Sequence, residues 1–415
     1  MAREFLSMNE LDLAGATVLL RLDINSPVNP QTGDILDDTR MWRHVPTLQT
    51  LEDSRVIIMA HQGRPGSKDF SSLEPHARRL SDILGEHVVY VDSLVGSSMR
   101  KAVDKLRPGD KLLLENTRFY AEEVALKKET DFQNTVLVSK LSSVADVFVN
   151  DAFAAAHRAQ PSLTGFVERM PCAAGLLMEK ELEGISRASE PVEGESCAVL
   201  GGIKVDDSIH VMDNLLSNRV VKDVLCTGVV GNIALLAKGY DLGESNKIFL
   251  TKEVPDYEKM VEQMRSLLAK HGDSIHAPTD LALNVGGKRE HIRLEELPAE
   301  HSIFDIGLDT IVRYSNMING SEKVILNGPA GVFELPEFSE GTFELFRAMA
   351  RCKGYTIMGG GHTNAVAEKL GIERKIDHIS TGGGALIKYL SGDRMPVIEM
   401  LEKSKRLYDE GAYEK

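Results

Sequence analysis

The chain has 415 residues, of which 42% are hydrophobic and 27% charged, and its formal net charge is −14. That length is too great for one ordinary core and predicts two domains. The acidic balance argues against a nucleic-acid partner, and no run of about 18 apolar residues marks a membrane span. The start, "MAREFLSMNELDLAGATVLLRLDINSP", lacks the basic, apolar and small-residue order of a signal peptide. Cys172, Cys197, Cys226 and Cys352 are far apart and show no CxxC spacing. A disulfide framework or thiolate metal site is therefore not expected, and a reducing cytoplasm fits.

In chain order, short apolar runs alternate with helical patterns, the signature of βα units and parallel sheets. The first half predicts strands over 16–24, 55–61, 87–92, 111–116 and 145–150. Their near-continuous apolar character suits strands covered by helices on both faces. Helices are predicted over 72–84, with Pro75 early and Gly85 just past the end, and over 126–142. "DDTRMWRHVPTL" (37–48) reads as a helix opened by an aspartate cap, and Trp42 is expected to pack. A charged helix over 176–190 could join two domains. Strands then resume over 196–202, 223–228, 276–283, 301–307, 322–328 and 354–360. Residues 284–300 are polar and predict a surface excursion.

The fold class expected is α/β, with two Rossmann-like lobes. Each would be an open, mainly parallel sheet flanked by helices, the two joined by a helical hinge. Ligands of such sheets bind just beyond the carboxyl ends of the strands. In the first half those ends carry Asp23 to Asn25, His61 to Arg64, Glu115 to Arg118 and Asn150 to Arg158. In the second half they carry glycines at 201–202, 228, 328 and 359–361. Guanidinium groups suit a small phosphorylated anion, because their planar fork binds phosphate in bidentate fashion. Glycine turns suit a nucleotide, because they let backbone N–H groups approach phosphates at a helix start.

Each motif alone is weak. Arg64, in "HQGRPGSKDF", could be a solvated loop residue, and Lys204, in "VLGGIKVDDSI", could simply face water. Arg40 would sit in the first turn of its helix, where the dipole disfavours a cation unless an anion is near. "MGGGHTNAVAEKLG" predicts a strand, three glycines and a helix starting near Thr363, and "HISTGGGALIKYLSG" repeats the pattern. Two GGG turns exceed what packing alone needs. His157, His210 and His378 lack metal-ligand spacing and read as structural or solvated. "LGGIKV" lacks the GxGxxG spacing of a dinucleotide site.

The sequence resembles the phosphoglycerate kinase family over nearly its whole length. The resemblance rests on "RLDINSPV", "DDTR", "HQGRP", "LLENTRF", "VNDAFAAAHRA", "LGGIKV", "NGPAGVFE", "GGGHT" and "HISTGGGA", in that order. "DDSI" and "GGGHT" look like its archaeal branch. The resemblance implies a domain 1–175, with the tail 393–415 returning to it, for the triose phosphate. It implies a domain 176–392, including the interdomain helix, for Mg2+ and ATP or ADP. The implied reaction is reversible phosphoryl transfer between ATP and the carboxylate of 3-phosphoglycerate, giving 1,3-bisphosphoglycerate, with domain closure. A cytoplasmic monomer with no membrane or nucleic-acid partner goes with it.

Residue by residue, the resemblance implies substrate binding by Asp23, Asn25, Arg40, His61, Gly63, Arg64, Arg118 and Arg158. It implies nucleotide binding by Gly201, Gly202, Lys204, Gly228, Asn327, Gly328, Pro329, Glu334, Gly359, Gly360, Gly361, His362 and Thr363. Arg40, Lys204 and Gly361 would serve the transfer itself. Hinges are expected at the 176–190 helix and around Ser380, Thr381 and Gly382. Two positions depart from the family pattern. His362 stands where many members have an aspartate near the magnesium, and Ser208 stands where many have a second lysine. The metal ligands are thus left unassigned, with water and phosphate oxygens expected to fill most of the shell. A catalytically silent binding protein that kept the fold is the competing reading.

Overall fold

The computed structural model describes residues 4–126 and 128–413, apart from the His362 side chain. The chain divides into two compact units. One is Met1–Leu182 with Arg394–Lys415, and the other is Glu183–Asp393.

The first unit contains β1 (Thr17–Arg21), β2 (Arg55–Met59), β3 (Val88–Val91), β4 (Lys111–Leu114), β5 (Val147–Asn150) and β6 (Cys172–Ala174). They form one sheet in the order β3-β4-β2-β1-β5-β6, parallel throughout. Every residue of β1, β4, β5 and β6 is buried, which explains their unbroken apolar sequences. The strand order reverses at β1, whose neighbours are β2 and β5. Ligands of open sheets bind at such a reversal. Helix Pro396–Asp409 packs on β6, where Ser404 accepts the Cys172 N–H at 2.7 Å.

The second unit contains β7 (Ser196–Leu200), β8 (Asp223–Cys226), β9 (Ile275–His276), β10 (Asp280–Val285), β11 (Lys288–Arg293), β12 (Ile303–Ile306), β13 (Lys323–Asn327), β14 (Tyr355–Gly359) and β15 (His378–Ser380). Six of them make a second parallel sheet, β15-β14-β13-β7-β8-β9. Its order reverses where β7 meets β13. The other three form a small antiparallel sheet, β11-β10-β12.

Several local expectations change. The run 276–283 is not one strand. β9 and β10 belong to different sheets, with Pro278, which has no N–H to give a ladder, between them. The polar stretch 284–300 holds β11, whose residues are all exposed or half-buried and so show no apolar alternation. The helix expected over 126–142 is broken. A 3₁₀ turn, Glu129–Asn134, ends at Thr135, whose hydroxyl caps helix Val136–Ser142 by accepting the Val138 N–H at 3.2 Å. The helix after Asp38 spans Thr39–Thr50, but Asp38 does not cap it. Asp38 pairs instead with Arg79, and Asp37 accepts the Thr39 N–H at 2.8 Å. Trp42 is 51% exposed rather than packed.

Candidate functional site

In the first unit, the segments that follow β1, β2, β4 and β5, including helix Thr39–Thr50 for Arg40, carry the arginines and histidine that the sequence singled out. Asp23 is buried at the end of β1, and its carboxylate accepts from Arg40 Nη1 at 2.9 Å. Burial alone would push that carboxyl up. The positive charge of Arg40, the largest opposing influence, together with that of Arg21, outweighs burial and holds it below the usual aspartate range. Asn25 Oδ1 accepts the Gly63 N–H at 2.8 Å, so the β1 and β2 loops are tied together. Gly63 has φ +65°, and a Cβ there would lie 2.6 Å from the Asp69 backbone. Only glycine fits that turn. Arg118 donates to the Gly63 carbonyl, which links the β4 loop to the same turn.

The cations lower one another. Arg118, half-buried, is brought down to about 10 by burial and then by Arg158 and Arg21, with Arg64 adding to the effect. Arg158 is lowered by burial, and Arg64 and Arg40 add to that against the pull of Asp23. Like charges at this density repel, and an anion among them would relieve the repulsion. His61 is buried and held well below its usual range, chiefly by burial, with Asp23 opposing and Arg21, Arg118 and Arg158 reinforcing. It is therefore a neutral imidazole at pH 7. The Arg21 guanidinium approaches His61 Nδ1 at 3.2 Å. As a guanidinium has only protons to offer, Nδ1 accepts and Nε2 carries the hydrogen.

Sequence reasoning passed over Arg21, the last residue of β1. It is 1% exposed and donates to Ser162 Oγ at 3.2 Å. Buried Glu123, whose carboxyl is raised by burial against the pull of Arg21, accepts from Ser162 N at 3.0 Å and Ser162 Oγ at 2.5 Å. A lone arginine inside an apolar strand was the signal available. Gln62 and Asn116 were also missed. Gln62 Oε1 accepts the Ser26 N–H at 3.0 Å, and Asn116 Nδ2 donates to the Gln62 carbonyl at 2.7 Å.

In the second unit, glycines gather where β7, β8, β13 and β14 end. Gly201 N donates to Asn327 O at 2.9 Å, Gly202 N to Pro329 O at 3.0 Å, and Gly228 N to Ala330 O at 3.0 Å. Close packing accounts for several of these glycines, in the two GGG turns and outside them. A Cβ on Gly201 would lie 2.3 Å from Pro329 O, one on Gly328 2.4 Å from Gly201 O, and one on Gly383 2.5 Å from Gly360 Cα. Gly359 is likewise closed off by Leu386. Gly361 differs, because a Cβ there would meet nothing within 4 Å.

The helix after these glycines is Gly361–Leu370, starting two residues earlier than expected, with Gly360 at its N-cap. Its N-terminal N–H groups can receive an anion. Thr363 is buried, and its Oγ1 accepts from Gly328 N at 3.4 Å. Asn327 and Pro329 are half-buried, whereas Lys204 and Glu334 are exposed. Lys204 stands just before helix Val205–Ser217, at its N-cap position, without a side-chain cap hydrogen bond. Ser208 is buried there and donates to Lys204 O at 3.0 Å, so the missing second lysine is replaced by an inward hydroxyl. The side chain of His362 lies outside the described residues. Among those residues, no group of three or more His, Cys, Asp or Glu side chains could hold a metal ion.

Comparison with known proteins agrees over the full length. A family model described as phosphoglycerate kinase matches residues 8–393. The phosphoglycerate kinase of Thermoplasma acidophilum is 47% identical over 98% of this chain and 99% of its own, and that of Methanothermus fervidus is 45% identical with the same coverage. The crystal structure of phosphoglycerate kinase from Pyrococcus horikoshii OT3 superposes with a TM-score of 0.89 at 39% identity, covering 97% of this chain and 99% of that one. The phosphoglycerate kinase of Coxiella burnetii gives a TM-score of 0.81 at 33% identity. The chain belongs to the phosphoglycerate kinase family.

Proposed function

We propose that the first unit binds 3-phosphoglycerate through the guanidinium cluster and that the second binds the nucleotide through the glycine turns and the Gly361–Leu370 helix start. The family's reaction is reversible phosphoryl transfer between ATP and the 3-phosphoglycerate carboxylate, and it is the reaction of this chain. ATP or ADP and Mg2+ serve it. The observation that carries the assignment of the first unit is the gathering of Arg21, Arg40, Arg64, Arg118 and Arg158, in which Arg158, Arg21 and Arg64 lower Arg118 while Arg64 and Arg40 lower Arg158.

The substrate carboxylate is already a nucleophile, so no general base is needed. The protein's work is alignment and charge cancellation on the equatorial oxygens. Arg40 and Lys204 are assigned to the transferring phosphoryl, and Asp23 sets the direction of the Arg40 guanidinium. Arg64, Arg118 and Arg158, with Asn25 and neutral His61, hold the 3-phosphate and carboxylate. Gly359, Gly360, Gly361 and Thr363 cradle the nucleotide phosphates, and Glu334 meets the ribose. Mg2+ neutralises phosphate charge when bound. Nucleotide oxygens and water are assigned most of its shell.

We infer that turnover involves domain closure, which would exclude water able to hydrolyse the acyl phosphate. The hinges are assigned to helix Leu176–Ser189 and to Ser380, Thr381 and Gly382. We assign the chain to the cytoplasm as a monomer. The cysteines are free, and burial pushes the Cys197 and Cys226 thiols up to about 12. No helix among the described residues is long and apolar enough to cross a membrane.

The test is a coupled assay for ATP formation from 1,3-bisphosphoglycerate and ADP, run beside a titration with 3-phosphoglycerate. Turnover with saturable binding supports the reading. Binding without turnover would instead favour a silent binding protein, in line with Ser208 and His362.

A further inference from the structure

Two residues that the substrate assignment leaves unused, His44 and Asp151, connect three parts of the first unit. His44 is 1% exposed and Asp151 is fully buried. His44 lies one helical turn beyond Arg40 on helix Thr39–Thr50, so both project toward the same side of it. Its Nδ1 stands 2.8 Å from Asp151 Oδ2, and its Nε2 stands 3.2 Å from both the amide nitrogen and the carbonyl oxygen of Asp23. The carboxylate can only accept, so Nδ1 carries a proton, and Nε2 engages the Asp23 backbone.

Asp151 is itself fixed. Its Oδ1 accepts the Met178 N–H at 3.0 Å, in the first turn of helix Leu176–Ser189, and its own N–H donates to Arg21 O at 2.9 Å. A Cβ on Gly175 would lie 2.3 Å from Oδ1, so the carboxylate is seated directly against that backbone. Burying a carboxylate and an imidazole is costly, and an apolar pair of similar volume would often be no less stable. The arrangement calls for a reason other than stability.

We propose that His44 is a positioning residue for phosphoryl transfer. It grips the Asp23 backbone while riding on the helix that carries Arg40. It therefore fixes both members of the Asp23–Arg40 pair with respect to each other, and Asp151 fixes its tautomer and orientation. Loss of the imidazole leaves Arg40 present but misaimed, and misplacement by about 1 Å can cost up to ~10²-fold in rate. The inference rests on the role given to Arg40 above.

The experiment measures kcat, and KM for 3-phosphoglycerate and ATP, in His44→Ala, Asp151→Asn, Arg40→Ala and the double variant His44→Ala/Arg40→Ala. Expected is a fall of about 10-fold or more in kcat for His44→Ala with KM for ATP unchanged. The double variant should match Arg40→Ala alone within about twofold, because residues acting as a unit are not additive. Should His44→Ala fail to fold, His44→Gln, which keeps a polar end, takes its place in the same comparison. Unchanged kcat, or a loss that multiplies with that of Arg40→Ala, would overturn the inference. Full activity in Arg40→Ala would overturn the underlying assignment instead, so the two failures are distinguishable.

Discussion

Arg40 and Asp23 form an ion pair across 2.9 Å in which the carboxylate is buried and the guanidinium is 44% exposed. The aspartate fixes one edge of the guanidinium and leaves the rest open to solvent. That division of labour suits a cation aimed at charge that develops only during reaction. Arg40→Ala should therefore lower kcat by about 10²–10³-fold while KM for 3-phosphoglycerate changes little. Steady-state rates of the wild type and the variant check this.

The glycine turns permit a separation of packing from binding. Gly328 has φ +88° and no room for a Cβ, whereas Gly361 has open space there. Gly328→Ala should cost stability, about 1–3 kcal/mol by the strain of a left-handed residue alone. Gly361→Ala should leave the thermal midpoint near that of the wild type yet weaken ADP binding, because the methyl would sit where phosphate approaches the helix start. Thermal unfolding beside nucleotide titration distinguishes the two.

Repulsion within the arginine cluster predicts stabilisation by anions. At about 100 times its Kd, 3-phosphoglycerate should raise the unfolding free energy by roughly 2.7 kcal/mol. The gain should shrink in Arg118→Ala and at about 1 M salt, where screening is strong. Denaturant unfolding with and without ligand measures it.

Buried His76 supplies a pH dependence. Burial lowers it to about 4 from an ordinary value of 6.5, and its Nε2 contacts Gln62 Oε1 at 3.0 Å. The unfolded chain takes up this proton near pH 6.5, the folded chain only near 4. Acid in that window therefore favours unfolding, and full stability from this group is present above it. The difference is worth about 3 kcal/mol between the ends of the window. His76→Leu should flatten that part of the curve relative to the wild type, as urea midpoints between pH 4 and 7 would reveal.

Much of this was legible in the sequence because parallel strands buried on both faces read as plain apolar runs. The residues just past their ends then carried the chemistry, as with Arg118 after β4 and Gly201 after β7. The antiparallel sheet was not legible. The polar residues of β11 give no alternation, and Pro278 hid the boundary between β9 and β10. Arg21, His44 and Asp151 escaped because their meaning lies in partners far along the chain: Arg21 with Ser162, His44 with Asp151, and Asp151 with Met178. The close backbone approach of Gly328 to Gly201, which leaves no room for a Cβ, was not legible either, because the two residues lie far apart along the chain.

The central claim is that 3-phosphoglycerate sits within the arginine cluster of the first unit. A crystal structure of the wild-type chain with that ligand tests it most directly. The account predicts phosphate and carboxylate oxygens within hydrogen-bonding distance of Arg64, Arg118 and Arg158, with His61 Nε2 donating to the ligand. Density for the ligand elsewhere, with those guanidinium groups facing only water, would contradict it.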